Sequence, residues 1–243
     1  MSLFSYEGWL FLLRWFHFLA GIAWIGMLYY FNFVQTPFFG SPETPAPVRM
    51  GMLAGGLVSR ALWWFRWGAM ITFITGWLLI IHYVARLGGI REFLNEPLGM
   101  LIFFGGMLGS LMWFNVWFVI WPAQQVLMAS AAQVVKGGQA IPEAAARGQR
   151  AGFASRTNTL LSIPMLFFMG AASHLTFVTR NAPRGAKIGA LILLLIVLAA
   201  AEVNAMVGTT GPGKKMLSTL KGTFWGGFIL TAILYFGLEL LFP

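Results

Sequence analysis

Six apolar stretches in this chain are each long enough to cross about 30 Å of hydrocarbon at about 1.5 Å of rise per residue. They fall at about residues 8–34, 61–86, 97–121, 152–179, 187–208 and 219–242. Only 9% of the 243 residues are charged, and no Asp is present. Ordinary soluble domains carry about 25% charged residues. A chain with 58% hydrophobic residues, 23 Phe and 11 Trp cannot cover itself with polar surface, so its solvent must be the lipid bilayer. Open sheet edges cannot face lipid, which leaves helices. The expected fold is an all-α integral membrane bundle of about six transmembrane helices, residues 1–243 forming a single transmembrane domain.

The net charge of +9 does not indicate a nucleic-acid partner. The basic residues are spread thinly between apolar runs and form no stripe. They suit loops beside anionic lipid headgroups. Zero cysteines exclude disulfides, thiolate metal sites and a covalently attached c-type haem. The first apolar stretch is too long for a signal-peptide core and reads as a retained helix.

Between helices one and two, Pro37, Pro42, Pro45 and Pro47 predict a non-helical loop from Thr36 to Ser59. Gln124 to Val135 can extend helix three until Gly137-Gly138 stops it. Asn181-Ala182-Pro183 predicts a short turn between helices four and five. Alternating crossings put ten basic residues on the side of loops one, three and five, among them Arg49, Arg60, Arg147, Arg150 and Lys214. Six lie on the other side. The bias predicts an inner-membrane protein with the odd loops cytoplasmic and both termini periplasmic.

Ionisable groups inside a membrane are costly, and each is a functional candidate. His17 lies roughly 13 Å from the outer surface, and His82 and His174 roughly 7 Å. Two neutral imidazoles from facing helices can ligate a haem b iron. Arg14, one turn before His17, can pair with a haem propionate. The competing reading is that each histidine merely bridges helices. Glu202 sits in the inner half at the level of Arg66 and Arg156, where an ion pair or a proton path is expected. Asn32, Asn115, Asn158, Gly105 and Gly109 read as packing residues, and Pro164 as a kink. Trp9, Trp63, Trp64 and Trp121 suit an interfacial belt. Gly208 to Lys214 begins like a phosphate-binding loop, but Lys215 stands where a Ser or Thr would hold magnesium, and no strand precedes it.

Arg14-Trp15-Phe16-His17 followed by Ala20-Gly21-Ile22-Ala23-Trp24-Ile25-Gly26 resembles the first helix of the membrane-bound urate oxidase family. Ser155-Arg156-Thr157-Asn158-Thr159-Leu160-Leu161-Ser162-Ile163-Pro164, running on to Ser173-His174, resembles its fourth. The resemblance is to the N-terminal membrane part of that family and implies electron transfer to a cytochrome c. In the family that cytochrome is fused at the C-terminus. Here a separate cytochrome c or a larger membrane complex would take its place. It implies His17 and His174 as the iron ligands (the metal site), Arg14 as the propionate anchor and His82 as a second-site or proton-relay residue. A Trp-rich first helix bearing His is also similar to HemJ-type protoporphyrinogen oxidases and CopD-like proteins. The alternatives are therefore a HemJ-like oxidase, or a non-catalytic accessory subunit of a respiratory or photosynthetic complex.

Overall fold

The computed structural model describes residues 2–175 and 182–242, and among these every regular element is helical. Six long helices carry the fold: α1 (Tyr6–Gly40), α2 (Leu57–Leu87), α3 (Pro97–Val135), α4 (Ala144–His174), α5 (Arg184–Met206) and α6 (Leu220–Leu241). Short helices Ala46–Ala54, Ile90–Asn95 and Pro212–Leu217 lie in the connections. Local chemistry sets the ends. Ser5 and Thr219 cap α1 and α6 by accepting from the N–H of Gly8 and Gly222. Gly88, at φ 89°, closes α2 in the left-handed conformation. The expected stop of α3 is present, with Gly138 N–H donating to Gln133 O at 3.0 Å.

The proline-rich connection differs from expectation. Residues Thr36–Gly40 continue α1, and Ala46–Ala54 form a helix of their own. Pro47 occupies a first-turn position, where a missing N–H costs nothing. Pro37 can follow a long helix because α1 widens just before it. Residues Tyr30–Gln35 form a π turn, and Thr36 N–H donates back five residues to Phe31 O. In α3 the same device precedes Pro122: Asn115–Ile120 is a π turn, and Trp121 N–H reaches Val116 O. Each proline is thus absorbed without breaking its helix.

Five helices are long and apolar enough to cross a membrane, namely α1, α2, α3, α5 and α6. Helix α4 matches α2 in length at 31 residues but is less apolar: its first half carries Arg147, Gln149, Arg150 and Arg156, and much of its second half is buried against other helices. It packs along α3 and α6 and also touches α1 and α5. Thr157, Asn158, Thr159 and Ser162 on it are fully or almost fully buried. Its first turns, Ala144 to Arg150, begin before the expected start at 152 and pack against the polar extension of α3. The expected residues 176–179 of this helix, together with Arg180 and Asn181, lie outside the described residues.

Close approach depends on a few glycines. A Cβ at Gly68 would lie 3.0 Å from the backbone nitrogen of Trp24, so this glycine sets the α1–α2 crossing. A Cβ at Gly227 would lie 2.8 Å from Leu160 O. Pro164 removes the N–H that would normally bond that carbonyl, and α6 backs onto it instead. Gly105 and Gly109 are not backbone contacts; they receive the side chains of Met169 and Met165 from α4.

Candidate functional site

The three histidines divide between two settings. His17 faces α2, with its Nδ1 3.0 Å from Thr75 Oγ1. Thr75 donates its one proton to Ile71 O at 2.6 Å, so its lone pair accepts from His17 Nδ1–H. Gly76 makes room for the ring, since a Cβ there would lie 2.9 Å from His17 Cε1. His174, exposed near the end of α4, donates Nδ1–H to Gly170 O at 2.9 Å. Both imidazoles therefore turn Nδ1 toward an oxygen acceptor, the arrangement that leaves Nε2 for another partner. A ligating histidine takes this form, with its other nitrogen bonded to an oxygen.

The two also share a level. Helices α1 and α4 run antiparallel, with Tyr29 Oη bonded to Ser162 Oγ at 2.9 Å and Asn32 Nδ2 to Ser155 Oγ at 2.8 Å. Twelve residues back from Tyr29 is His17, and twelve on from Ser162 is His174. Equal rise along each helix sets both imidazoles about 18 Å from the Tyr29–Ser162 contact. No described hydrogen bond joins the two rings. Two imidazoles at one depth are the donor set a haem iron takes, but the described contacts do not bring the rings together, since His17 faces α2 and His174 stands on α4.

Arg14 and His82 belong to the α1–α2 pair. Arg14 Nη2 donates to Tyr83 Oη at 2.8 Å, and no carboxylate pairs with it among the described residues. Both ring nitrogens of His82 lie 2.9 Å from Tyr6 Oη. The structure thus brings Arg14, His17 and His82 along one helix pair and leaves His174 across the bundle on α4.

A second polar belt lies at the other end of the bundle, between the two π turns. Asn32 Nδ2 donates to Leu28 O as well as to Ser155. Asn158 accepts from Asn115 Nδ2 at 3.0 Å and donates to Met112 O at 2.9 Å. In both helices a side-chain amide thus satisfies a carbonyl just before the widened turn. A cavity of about 90 Å³ opens here, with Asn32, Gln35, Thr36, Gln124, Ser155 and Arg156 as its polar lining. Gln35 Oε1 and Arg156 Nη1 are buried without a partner among the described residues. Sequence reasoning missed Gln35 and Gln124. No shared spacing marks them in the sequence, since Asn32 precedes Pro37 by five residues and Asn115 precedes Pro122 by seven.

The ion pair expected for Glu202 is not formed. Its carboxylate lies beside the Asn115 amide, and Oε2 is buried and unpartnered among the described residues. Arg66 is held instead by aromatic faces, its guanidinium carbon 4.0 Å from the Trp121 ring centroid and 4.8 Å from Trp117. Trp117 Nε1 bonds Arg66 O at 3.2 Å. A planar, weakly hydrated cation gains from such stacking without a carboxylate. Trp121 consequently packs against Arg66 inside the fold, whereas Trp9, Trp63 and Trp64 are exposed as a lipid-facing belt requires.

No curated protein and no solved structure matches the chain. The profile described as "Urate oxidase N-terminal" matches residues 92–235, more than half of the chain. That stretch holds the Ser155–Pro164 motif, the Asn115–Asn158 bridge and His174, whereas Arg14, His17 and His82 precede it. On this match the chain belongs to the urate oxidase N-terminal family.

Proposed function

We propose that this multi-pass membrane protein binds haem b between His17 and His174, and that it passes electrons to a separate acceptor such as a cytochrome c. The observation supporting this reading is the like setting of the two imidazoles, each with Nδ1 held by an oxygen, at 3.0 Å for His17 and 2.9 Å for His174. Bound haem would supply one-electron chemistry at a low-spin iron. Thr75 and Gly170 O fix the tautomers, and Gly76 seats the His17 ring. Arg14, bonded through one nitrogen to Tyr83, retains donors for a propionate. His82, within reach of Tyr6 Oη, can move a proton at the same end.

The family description supports coupling of this transfer to oxidation of a small substrate of the urate class. The basic bias of the odd loops supports an inner-membrane setting with both termini periplasmic. A reduced-minus-oxidised spectrum of the purified protein tests the reading. A low-spin haem band is expected, lost in His17→Ala or His174→Ala and kept in His82→Ala. Loss of the band in His82→Ala alone would overturn the pairing. A wild-type protein without any haem band would favour the accessory-subunit reading.

A further inference from the structure

We propose that the groove between α2 and α3, at the end of the bundle where α1 begins, binds one anionic phospholipid, its acyl chain in the groove and its phosphate on Arg86 and Arg91. The groove holds about 560 Å³ and runs along α2 from Trp77 to the closing turn at Gly88 and Gly89. Phe103 of α3 and Ile90 complete its lining. Ile81 and Ile90 are exposed, so it opens sideways to the bilayer. Its own polar groups are already satisfied. Trp77 Nε1 donates to Ser110 Oγ at 3.0 Å, and Ser110 donates in turn to Gly106 O. Gly88 N–H donates to Ala85 O and Gly89 N–H to Val84 O, which occupies the carbonyls of the closing turn. A quinone ring or a peptide would bring polar groups that find no partner here, whereas a hydrocarbon chain brings none.

Length and charge set the class of lipid. Trp77 to Gly88 is eleven residues, or about 16 Å along the helix axis. Half of a hydrocarbon core of about 30 Å is about 15 Å, the depth of one acyl chain in its leaflet. A chain lying in the groove therefore carries its headgroup to the level of the closing turn. Arg86 on the last turn of α2 and Arg91 on Ile90–Asn95 are both exposed. Ala85 and Ile90, their chain neighbours, line the groove, which keeps both arginines at its mouth. No carboxylate pairs with either among the described residues. Glu92 is the acid beside them, with Oε2 2.9 Å from where a Gly89 Cβ would stand, so cations outnumber acids at the mouth. Guanidinium groups take phosphate oxygens through paired hydrogen bonds, and each basic group near the surface adds to the attraction of an anionic headgroup. A zwitterionic headgroup brings its own cation to the same place and gains less.

The proposal rests on the membrane setting and needs no haem. The test is lipid retention by the full chain in dodecyl maltoside. The protein is equilibrated in mixed micelles holding equal amounts of phosphatidylglycerol and phosphatidylcholine with identical acyl chains, then repurified. Native mass spectrometry counts the phospholipid that stays bound. About one phosphatidylglycerol per chain should remain, preferred about tenfold over phosphatidylcholine. Arg86→Gln combined with Arg91→Gln should cut that preference to below about threefold. Ala85→Trp, which fills the groove from an exposed helix position, should abolish retention of both lipids. Should that variant fail to fold, the arginine pair carries the test alone. Equal retention of the two lipids, an unchanged preference in the double arginine variant, or unchanged retention in folded Ala85→Trp would each overturn the proposal. A wild-type chain that keeps no phospholipid would overturn it as well, and a dimer in that case would assign the face to a second copy.

Discussion

Replacement of Asn158 by Ala perturbs the one side chain that ties α3 to α4 at the widened turn. Asn158 is fully buried, accepts from Asn115 Nδ2 and donates to Met112 O. Hydrogen bonds between membrane helices average about 0.6 kcal/mol by double-mutant cycles, because the unfolded chain in the membrane also finds partners. Two of them give about 1.2 kcal/mol. The void left by a carboxamide adds about 0.7 kcal/mol, at about 24 cal/mol per Å³ over roughly 30 Å³. Asn158→Ala should therefore destabilise the bundle by about 2 kcal/mol. Unfolding by sodium dodecyl sulfate from dodecyl maltoside micelles, followed by tryptophan fluorescence, measures it. The double-mutant cycle with Asn115→Ala isolates the single amide–amide bond. Its coupling should be near 0.6 kcal/mol and under the observed ceiling of about 1.7 kcal/mol. A single-variant loss below about 0.5 kcal/mol, or no coupling, would refute the claim that this bridge holds the central helix in register.

Thr75→Val removes the acceptor that fixes the His17 tautomer, and haem affinity should fall about 10- to 100-fold by titration of the stripped protein. Gly227→Leu pushes a side chain into the Leu160 carbonyl at 2.8 Å, and should lower yield and thermal midpoint more than Gly152→Leu does. Lys214, outside the spans and only 4% exposed, donates to Ala205 O with its ammonium over the Phe153 ring. Burial, and then the nearby positive charge of Arg150, push its pKa below the ordinary lysine value. Between that lowered value and about 10.4 the unfolded chain binds more protons, so stability should rise with pH across the window and be reduced below it. Melting curves of Lys214→Met against the parent should show the rise in the parent alone.

Hydropathy alone determined that the chain is an all-helical membrane protein and located its six long helices, because the bilayer imposes a similar length and apolarity on lipid-facing spans. The glycine stop of α3 and its polar extension were equally legible, since both are local. So were Arg156 and Asn158 as notable positions, through their motif. The proline loop was misread because a proline's effect depends on the turn before it, and only the folded helices reveal the π turns that absorb Pro37 and Pro122. The partners of Arg66 and Glu202 were misassigned for a related reason. Depth along a helix follows from counting residues, but the direction in which a side chain meets its neighbours depends on helix rotation. That rotation set Arg66 among tryptophans, stood Glu202 beside Asn115 and turned Gln35 into a cavity with Arg156, none of which a one-dimensional pattern encodes.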